Sequence, residues 1–444
     1  MLLTLCAYGM VIVFMTLIMT KRLSPLTALI LVPVAFGLGA GFAPKLGEMM
    51  VAGITKLAPT GVMLMFAILY FAVMIDAGLF EPFVKRLVQL VHGDPMKVVV
   101  GTAVLALLVS LDGDGSTTYM ITTAAMLPLY HRLGMRPLVL TCVTMLAGGV
   151  MNILPWGGPT ARAASALQVD VSQVFVPLIP AMIGGALWVL YAAYRMGIAE
   201  RARLSAGGPL AIANQRVLAE ELANPTQAED TRHRRPDRLI INAVLTIVLL
   251  VALVKAVLPL PVLFMLGFAV AVLLNYPTIE QQKALLSRHA GNVLAVVGLI
   301  FAAGVFTGIL SGTKMVDAMA DSVITLVPTA LGPYLAMVTA VLSLPFTFFI
   351  SNDAFYFGVL PILAKAGEAY GITAAEMARA SLIGQPVHLL SPLVPSTFLL
   401  VGLAGVDFDD HQRYTLKWAA LSAVVLLIIG VATLVVPVMG HAAR

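Results

Sequence analysis

The chain has 444 residues, of which 60% are hydrophobic and only 11% are charged, and its mean hydropathy is +0.97. A soluble domain carries close to 25% charged residues, so this composition excludes a soluble enzyme or binding domain and indicates an all-α, polytopic membrane protein. The net charge of +5 comes from basic residues in short loops. The positive-inside rule explains that pattern without a nucleic-acid partner.

Apolar runs of the length that a spanning helix needs, about 20 residues, recur along the chain. We expect helices near residues 2–20, 24–42, 62–79, 137–167, 174–196, 237–257, 260–275, 290–312, 376–404 and 417–439. Two more apolar stretches, 96–130 and 333–366, carry polar residues at their centres.

We interpret these two stretches as re-entrant hairpins that enter the membrane and return. The arms of the first reach roughly 21–24 Å, short of the roughly 30 Å hydrocarbon core. The basic residues also fall on one side, together with the polar segment 197–236, only if both stretches are hairpins. The alternative is an ordinary extramembrane loop between two full spans. The segment 197–236 is expected to be a flexible cytoplasmic linker.

The chain is similar to itself when its second half is laid on its first half with Tyr356 on Tyr119. This shift, the repeat offset, places Ser351-Asn352-Asp353 on Asp114-Gly115-Ser116. It also aligns Gly134 with Gly371, Pro155 with Pro392 and Thr160 with Thr397. We therefore expect two repeats, 1–196 and 237–444, each with about five spanning helices and one hairpin. An odd number of crossings inverts the second repeat, as in many secondary transporters.

Each repeat has two polar interruptions at matching places. We name them tip 1 (112–118), break 1 (152–160), tip 2 (351–357) and break 2 (391–397). Both breaks contain proline, which disrupts a helix, and unwound backbone at membrane depth must be buried in protein or line a wet cavity. Two tips that meet two broken helices predict a polar substrate site. The uncharged residues expected to bind substrate are Gly113, Gly115, Ser116, Thr117, Asn152, Pro155, Gly157, Gly158, Thr160, Ser351, Asn352, Ser391, Pro392, Ser396 and Thr397.

Charged residues at membrane depth are costly, so they usually have a function. Asp112, Asp114 and Asp353 are candidates to carry a coupling proton or to contact a cation, and the alternative is helix capping. Arg162 follows break 1 and can bind a carboxylate of an anionic substrate, or pair with one of the aspartates. His388 precedes break 2 and is either part of a proton path or a packing residue.

The sequence contains no P-loop, no H-E-x-x-H motif and no Cys/His cluster. These observations argue against an ATP-driven pump and favour a transporter without a cofactor over an enzyme. A membrane-embedded enzyme is the alternative from another functional class.

Three stretches together resemble the citrate–divalent-metal/proton symporters of the CitMHS family. They are LDGDGSTTYMITTAAMLPLY, MNILPWGGPTARAASAL and SNDAFYFGVLPIL. The resemblance implies membership of the ion transporter superfamily, with a scaffold domain and a transport domain, an elevator-type movement and a homodimer. It also implies proton-coupled symport of citrate complexed with a divalent cation such as Mg²⁺ or Ca²⁺ across the cytoplasmic membrane.

The tips depart from the Ser-Asn-Thr pattern of related dicarboxylate/sodium symporters. Tip 2 has Asp353 in the third place, and tip 1 has Asp114-Gly115-Ser116. The extra carboxylates argue against sodium coupling and fit proton coupling, or contact of Asp114 and Asp353 with the metal of the complex. A cation/proton antiporter and a symporter of free di- or tricarboxylates are the alternatives on the same fold.

Overall fold

The protein is an assembly of packed helices. A computed structural model describes residues 2–91, 94–206, 235–255, 257–326 and 330–440, and within them every regular element is a helix. In this described part of the chain, seven helical segments are long and apolar enough to cross a membrane, and shorter apolar helices of 10–17 residues lie between them.

The two halves contain similar series of helices. The first half has α1 (Leu2–Met19), α2 (Pro25–Gly39), α3 (Leu46–Asp76), α4 (Glu81–Val91), α5 (Pro95–Val109), α6 (Gly115–Arg132), α7 (Pro137–Met151), α8 (Gly158–Leu167) and α9 (Val171–Ala206). The second half has α10 (Leu239–Val254), α11 (Leu260–Asn275), α12 (Ile279–Gly312), α13 (Met315–Leu326), α14 (Leu335–Phe349), α15 (Leu360–Glu368), α16 (Ala374–Ser381), α17 (Gln385–His388), α18 (Pro395–Ala404) and α19 (Phe408–Ala432).

Several helices begin where the sequence supplies a start signal. Pro25, Pro95 and Pro137 occupy the first positions of α2, α5 and α7, where proline loses no hydrogen bond. The Asp94 carboxylate caps α5 by accepting a bond from the Met96 amide at 3.0 Å. The starts of these helices are therefore set by local sequence rather than by packing alone.

The repeat offset found in the sequence also relates the helices. It places α18 on α8 with matching first and last residues, and it places the start of α19, Phe408, on the start of α9, Val171. The residues that directly follow α8 and α18 are Gln168 and Gly405. Both have a left-handed backbone, with φ of 56° and 64°. The backbone thus repeats where side chains differ.

Two helical hairpins and two broken helices form one side of the molecule. Helices α5 and α6 pack together. The short turn Ser110–Asp112, which leads into tip 1, lies against α3 and α7. Helix α18 packs against α6, whereas α8 packs against the π-helical stretch Ala354–Val359 in and after tip 2. Each hairpin therefore meets the half-helix that follows the break in the other half of the chain. The long helices α3 and α12 pack along each other, and both also contact α8.

The structure changes some expected boundaries. Residues 197–206, expected in the linker, continue α9 as helix, because Arg201 binds Asp94 at 2.6 Å and Arg203 binds Glu200 at 3.0 Å. The hydrogen bond from Arg201 lowers the pKa of the Asp94 carboxyl below its usual value. The rest of the expected linker, up to residue 234, lies outside the described residues.

Other differences concern helix length and number. The spans expected at 62–79 and 290–312 are the ends of the longer helices α3 and α12, and the hairpins comprise 95–132 and 335–368. The broken helix expected at 376–404 is divided into α16, α17 and α18. The short helices α4 and α13 were not expected, because each is amphipathic and too short to resemble a span.

Candidate functional site

Tip 1 is a tight turn closed by two aspartates. Gly113 has a left-handed φ of 80°, and a Cβ there would lie 2.5 Å from the Trp156 ring, so glycine is required. The Asp114 carboxylate caps α6: Oδ1 accepts from the Ser116 amide at 3.1 Å, and Oδ2 accepts from the Thr117 hydroxyl at 2.7 Å. The structure thus gives Asp114 the capping role, and its role in coupling or metal contact stays a prediction.

Asp112 is the buried carboxylate of tip 1. Its Oδ1 accepts a bond from the Asp114 amide at 2.9 Å, whereas its Oδ2 has no hydrogen-bond partner among the described residues. A buried oxygen without a partner costs free energy. Asp112 therefore combines a turn-forming role with one oxygen left for a proton, and its coupling role stays a prediction.

Break 1 is folded tightly upon itself. A Cβ on Gly157 would overlap the Asn152 carbonyl oxygen, so only glycine fits. The Thr160 hydroxyl is fully buried and donates to the Ile153 carbonyl at 2.8 Å, which satisfies an acceptor that the interrupted helix leaves free. Pro155 is also buried. In this conformation Pro155, Gly157 and Thr160 shape the break, and substrate contact by them stays a prediction.

Trp156 joins break 1 to tip 1. Its indole Nε1 donates to the Leu111 carbonyl at 2.9 Å, and its ring contacts Phe71 and Phe264 at centroid distances of 5.1 Å each. This residue was missed in the sequence. Its presence inside the polar stretch NILPWGGPT was the available signal, since a buried Trp needs an acceptor for its N–H.

Break 2 and the helix before it are joined to the end of α14, which leads into tip 2, by a hydroxyl and an imidazole group. The Ser391 hydroxyl donates to the Phe348 carbonyl at 2.6 Å, and His388 Nδ1 bonds to the Thr347 carbonyl at 2.6 Å. The repeat offset places Phe348 on Leu111, so the same carbonyl is bound in both repeats. Thr397 is buried and donates to the Leu389 carbonyl at 2.5 Å, much as its repeat partner donates within break 1.

The remaining residues of break 2 and tip 2 have simpler positions. Pro392 is exposed. The Ser351 hydroxyl oxygen accepts a bond from the Ala354 amide at 3.2 Å, where the π-helical stretch begins.

Arg162 and Asp353 form an ion pair between the repeats. The Arg162 Nε lies 2.6 Å from Asp353 Oδ1, and the two side chains are 23% and 13% exposed. The guanidinium also lies over Gly158, where a Cβ would be 2.5 Å from Nη1. The alternative of pairing with an aspartate is therefore realised in this conformation, and binding of a substrate carboxylate by Arg162 stays a prediction.

A cavity of about 100 Å³ lies between tip 1 and break 2. Five of the expected site residues line this cavity: Gly113, Asp114, Gly115, Asn152 and Ser396. The other lining residues are Ser110, Thr118, Tyr119, Gly148, Met151 and Leu389. Ser116 and Thr117 are held beside it by the Asp114 cap.

Asn152 connects this cavity to tip 2 through Gln385. Asn152 Nδ2 donates to Gln385 Oε1 at 3.0 Å, and Gln385 Nε2 donates to the Tyr356 hydroxyl at 2.8 Å and to Asn352 Oδ1 at 3.4 Å. Gln385 was also missed in the sequence. Its signal was a single amide within the apolar run SLIGQPVHLL, next to a proline.

The family model for citrate transporters, CitMHS, matches residues 14–384. The chain belongs to the CitMHS citrate transporter family. The resemblance seen in the three sequence stretches is confirmed, and so is the expectation of a membrane transporter rather than an enzyme.

CitMHS relatives cover nearly the whole chain. A protein of Bacillus subtilis (strain 168) named citrate transporter is 58% identical over 426 residues, 96% of this chain and 97% of its own. A second from the same organism, named Mg(2+)/citrate complex secondary transporter, is 52% identical over 425 residues, 96% of each chain.

Two solved structures share the fold at low sequence identity. Neisseria gonorrhoeae MtrF has a TM-score of 0.60 at 15% identity and covers 92% of this chain and 88% of its own. The Alcanivorax borkumensis YdaH transporter has a TM-score of 0.50 at 16% identity and covers 90% of both chains. These likenesses confirm an all-helical, multi-span transporter fold of the kind found in MtrF and YdaH.

Proposed function

We propose that this CitMHS protein is a secondary active transporter that takes up citrate complexed with a divalent metal, of the Mg²⁺ or Ca²⁺ type, together with protons. The names of the two Bacillus subtilis relatives, both more than 50% identical, support citrate as substrate, and one of these names supports the magnesium complex. The proposed location is the cytoplasmic membrane.

The proposed mechanism is an elevator movement. The two halves are two inverted repeats, and the hairpins and broken helices form the moving transport domain, while α3 and α12 belong to the scaffold. The recurrence of helix bounds at the repeat offset supports this division, and so does the extensive packing of α3 and α12 along each other. The proposed assembly is a homodimer.

The observation that carries the proposal is the ion pair between Arg162 and Asp353. A metal–citrate complex presents a cation and carboxylates side by side. The pair can exchange both partners at once: the Arg162 guanidinium turns to a citrate carboxylate, and the Asp353 carboxylate turns to the metal. A guanidinium matches carboxylates in a two-pronged geometry, and hard divalent cations prefer oxygen ligands.

Exchange of this kind keeps each charge compensated. Removing one partner of a fully buried ion pair costs about 3–5 kcal/mol, because the other charge is left unpaired, and the same imbalance acts more weakly on this partly buried pair. Binding of the complex avoids that cost, since each member receives an opposite charge. Free citrate would satisfy Arg162 and leave Asp353 without a cation, so the complex is the better substrate.

The coupling proton is assigned to the carboxyl groups of the tips. Asp112 retains one oxygen without a hydrogen-bond partner in the described part of the chain, and Asp114 is exposed at the cavity wall. His388 Nδ1 bonds to the Thr347 carbonyl near the end of α14, so we assign His388 a role in positioning the segment that leads into tip 2.

Uptake of labelled citrate into proteoliposomes tests the proposal. An inward proton gradient is imposed, and Mg²⁺, Ca²⁺ or no divalent ion is supplied. We expect concentrative uptake that requires both the metal and the gradient. Uptake with the gradient alone would make the substrate a free carboxylate. If citrate does not enter under any condition, and R162Q retains metal–proton exchange, the protein is a cation/proton antiporter instead.

A further inference from the structure

Gln385 is a fully buried amide at the start of α17, and all of its polar atoms are used. Its side chain is 0% exposed. Its Oε1 accepts from Asn152 Nδ2 at 3.0 Å, and its Nε2 donates to the Tyr356 hydroxyl at 2.8 Å and Asn352 Oδ1 at 3.4 Å. One side chain thus binds break 1 and tip 2, which belong to different repeats.

The amide lies where the two repeats cross. The repeat offset places Pro386 on Gly149, and a Cβ on Gly149 would lie 2.7 Å from the Pro386 Cα. The backbones of α7 and α17 are therefore in contact, next to Gln385. A change in the Gln385 bonds acts on both repeats at this crossing.

The residue that matches Gln385 at the repeat offset is Gly148, which has no side chain to enter the cavity at tip 1. Gly148 lines the cavity, and a Cβ there would lie 3.5 Å from the Tyr119 hydroxyl. Tyr119 and Tyr356 are also matched, and Tyr356 receives the bond from Gln385. Gln385 thus fills at tip 2 the space that Gly148 leaves open at tip 1.

We propose that Gln385 is a positioning residue, which holds Asn152 on the cavity wall in a fixed relation to Asn352, the neighbour of Asp353. The two sides of the site can then bind one ligand together. An apolar side chain cannot replace this amide, because Asn152 Nδ2 would lose its acceptor and the fully buried Tyr356 hydroxyl would lose its donor. Buried polar groups that lose their partners are costly. The identity of the ligand rests on the proposed function, and the positioning itself does not.

The first test measures proton-driven uptake of Mg²⁺–citrate by Q385L, Q385E and the control Q173L, whose glutamine is exposed. We expect Q385L to raise the half-saturating concentration about 10-fold, with less effect on the maximal rate, and Q173L to change neither. A protonated glutamate supplies the acceptor and one of the two donors that this site uses, whereas leucine supplies none of them. At pH 5.5, Q385E should therefore approach the unaltered protein more closely than Q385L does. Equal impairment of Q385E and Q385L at pH 5.5, or unchanged saturation in Q385L, would overturn the proposal.

The second test needs no substrate. A single cysteine replaces Ser351 in tip 2, with Cys6 and Cys142 changed to alanine, and its reaction with a maleimide is timed. We expect Q385L to accelerate labelling severalfold and Q173L to leave it unchanged. An unchanged rate in folded Q385L protein would show that Gln385 does not hold tip 2. Faster labelling, in a protein whose unaltered form takes up no citrate, would retain the role of Gln385 and reject the proposed function.

Discussion

The two breaks occupy matched positions but are held in different ways. In break 1 the Trp156 indole binds the Leu111 carbonyl and packs between aromatic rings, and residues 153–157 are buried. In break 2 the Ser391 hydroxyl binds the Phe348 carbonyl, and Pro392 and Leu393 are exposed. The same backbone acceptor is thus satisfied once by a large buried ring and once by a small hydroxyl.

The half-helices after the breaks differ in charge. Arg162 on α8 pairs with Asp353 at tip 2, whereas the matched residue on α18 is Leu399. Beside α18, at tip 1, there is an open cavity in the place of an ion pair. A similar backbone in the two halves therefore holds an ion pair beside α8 and an open polar cavity beside α18, because a few side chains differ.

The largest expected effect is that of removing the Arg162 guanidinium. We expect R162Q to lower citrate uptake at subsaturating substrate about 30-fold, because a charge-assisted hydrogen bond from this partly buried guanidinium to a citrate carboxylate contributes about 2 kcal/mol. The matched control L399Q, in the same proteoliposome assay, should stay within about twofold. The double variant R162Q/D353N should regain thermal stability relative to R162Q without regaining uptake. Normal uptake by R162Q would contradict the exchange of partners.

Truncation of the Trp156 side chain should have the next largest effect. W156A removes a buried ring and the bond to Leu111, so we expect it to lower the free energy of unfolding by about 3–5 kcal/mol. The repeat-matched L393A removes an exposed side chain, and we expect a change within about 0.5 kcal/mol. Thermal unfolding of both variants in detergent checks the difference. Equal melting temperatures would show that the breaks are anchored alike.

A methyl group should be tolerated after break 2 and not within break 1. G157A places a Cβ against the Asn152 carbonyl, and we expect a cost of about 1–3 kcal/mol. G402A lies on α18, where a Cβ meets nothing within 4 Å, and we expect a neutral effect or a gain of up to about 1 kcal/mol. The same unfolding assay measures both. A G157A protein as stable as G402A would mean that break 1 is not tightly folded.

The smallest expected effect belongs to Ser391. S391A loses the bonds to the Phe348 carbonyl and from the Leu393 amide, and we expect a cost of about 1–2 kcal/mol in the free energy of unfolding. The exposed Ser205 on α9 serves as control, since S205A should stay within about 0.5 kcal/mol. If S391A loses no more free energy of unfolding than S205A does, water replaces the Ser391 hydroxyl at break 2.

Much of the fold could be predicted because membranes restrict the possible structures. The length of the apolar runs predicted the helices, and the prolines predicted the breaks. The repeat offset predicted matching helix ends such as those of α8 and α18. Helices α4 and α13 could not be predicted, because short amphipathic segments lack the length signal of a spanning helix. The extension of α9 to Ala206 depends on ion pairs with distant residues such as Asp94.

The composition of the site could be predicted, but not its partners. The polar residues of the tips and breaks were evident as interruptions of apolar sequence. The pairing of Arg162 with Asp353 depends on how α8 packs against the other repeat, and the sequence left that pairing as an alternative. Gln385 and Trp156 acquire their roles only when tips and breaks meet in three dimensions.

We propose that the pair of Arg162 and Asp353 opens to receive both parts of the metal–citrate complex. A structure of the protein with citrate and Mn²⁺, which shares the oxygen-ligand preference of Mg²⁺, tests this most directly, because anomalous scattering locates the metal. We expect the metal within about 2.5 Å of an Asp353 carboxylate oxygen, and the Arg162 guanidinium on a citrate carboxylate. An intact ion pair, with Arg162 Nε still bonded to Asp353 while the complex occupies another place, would contradict the account.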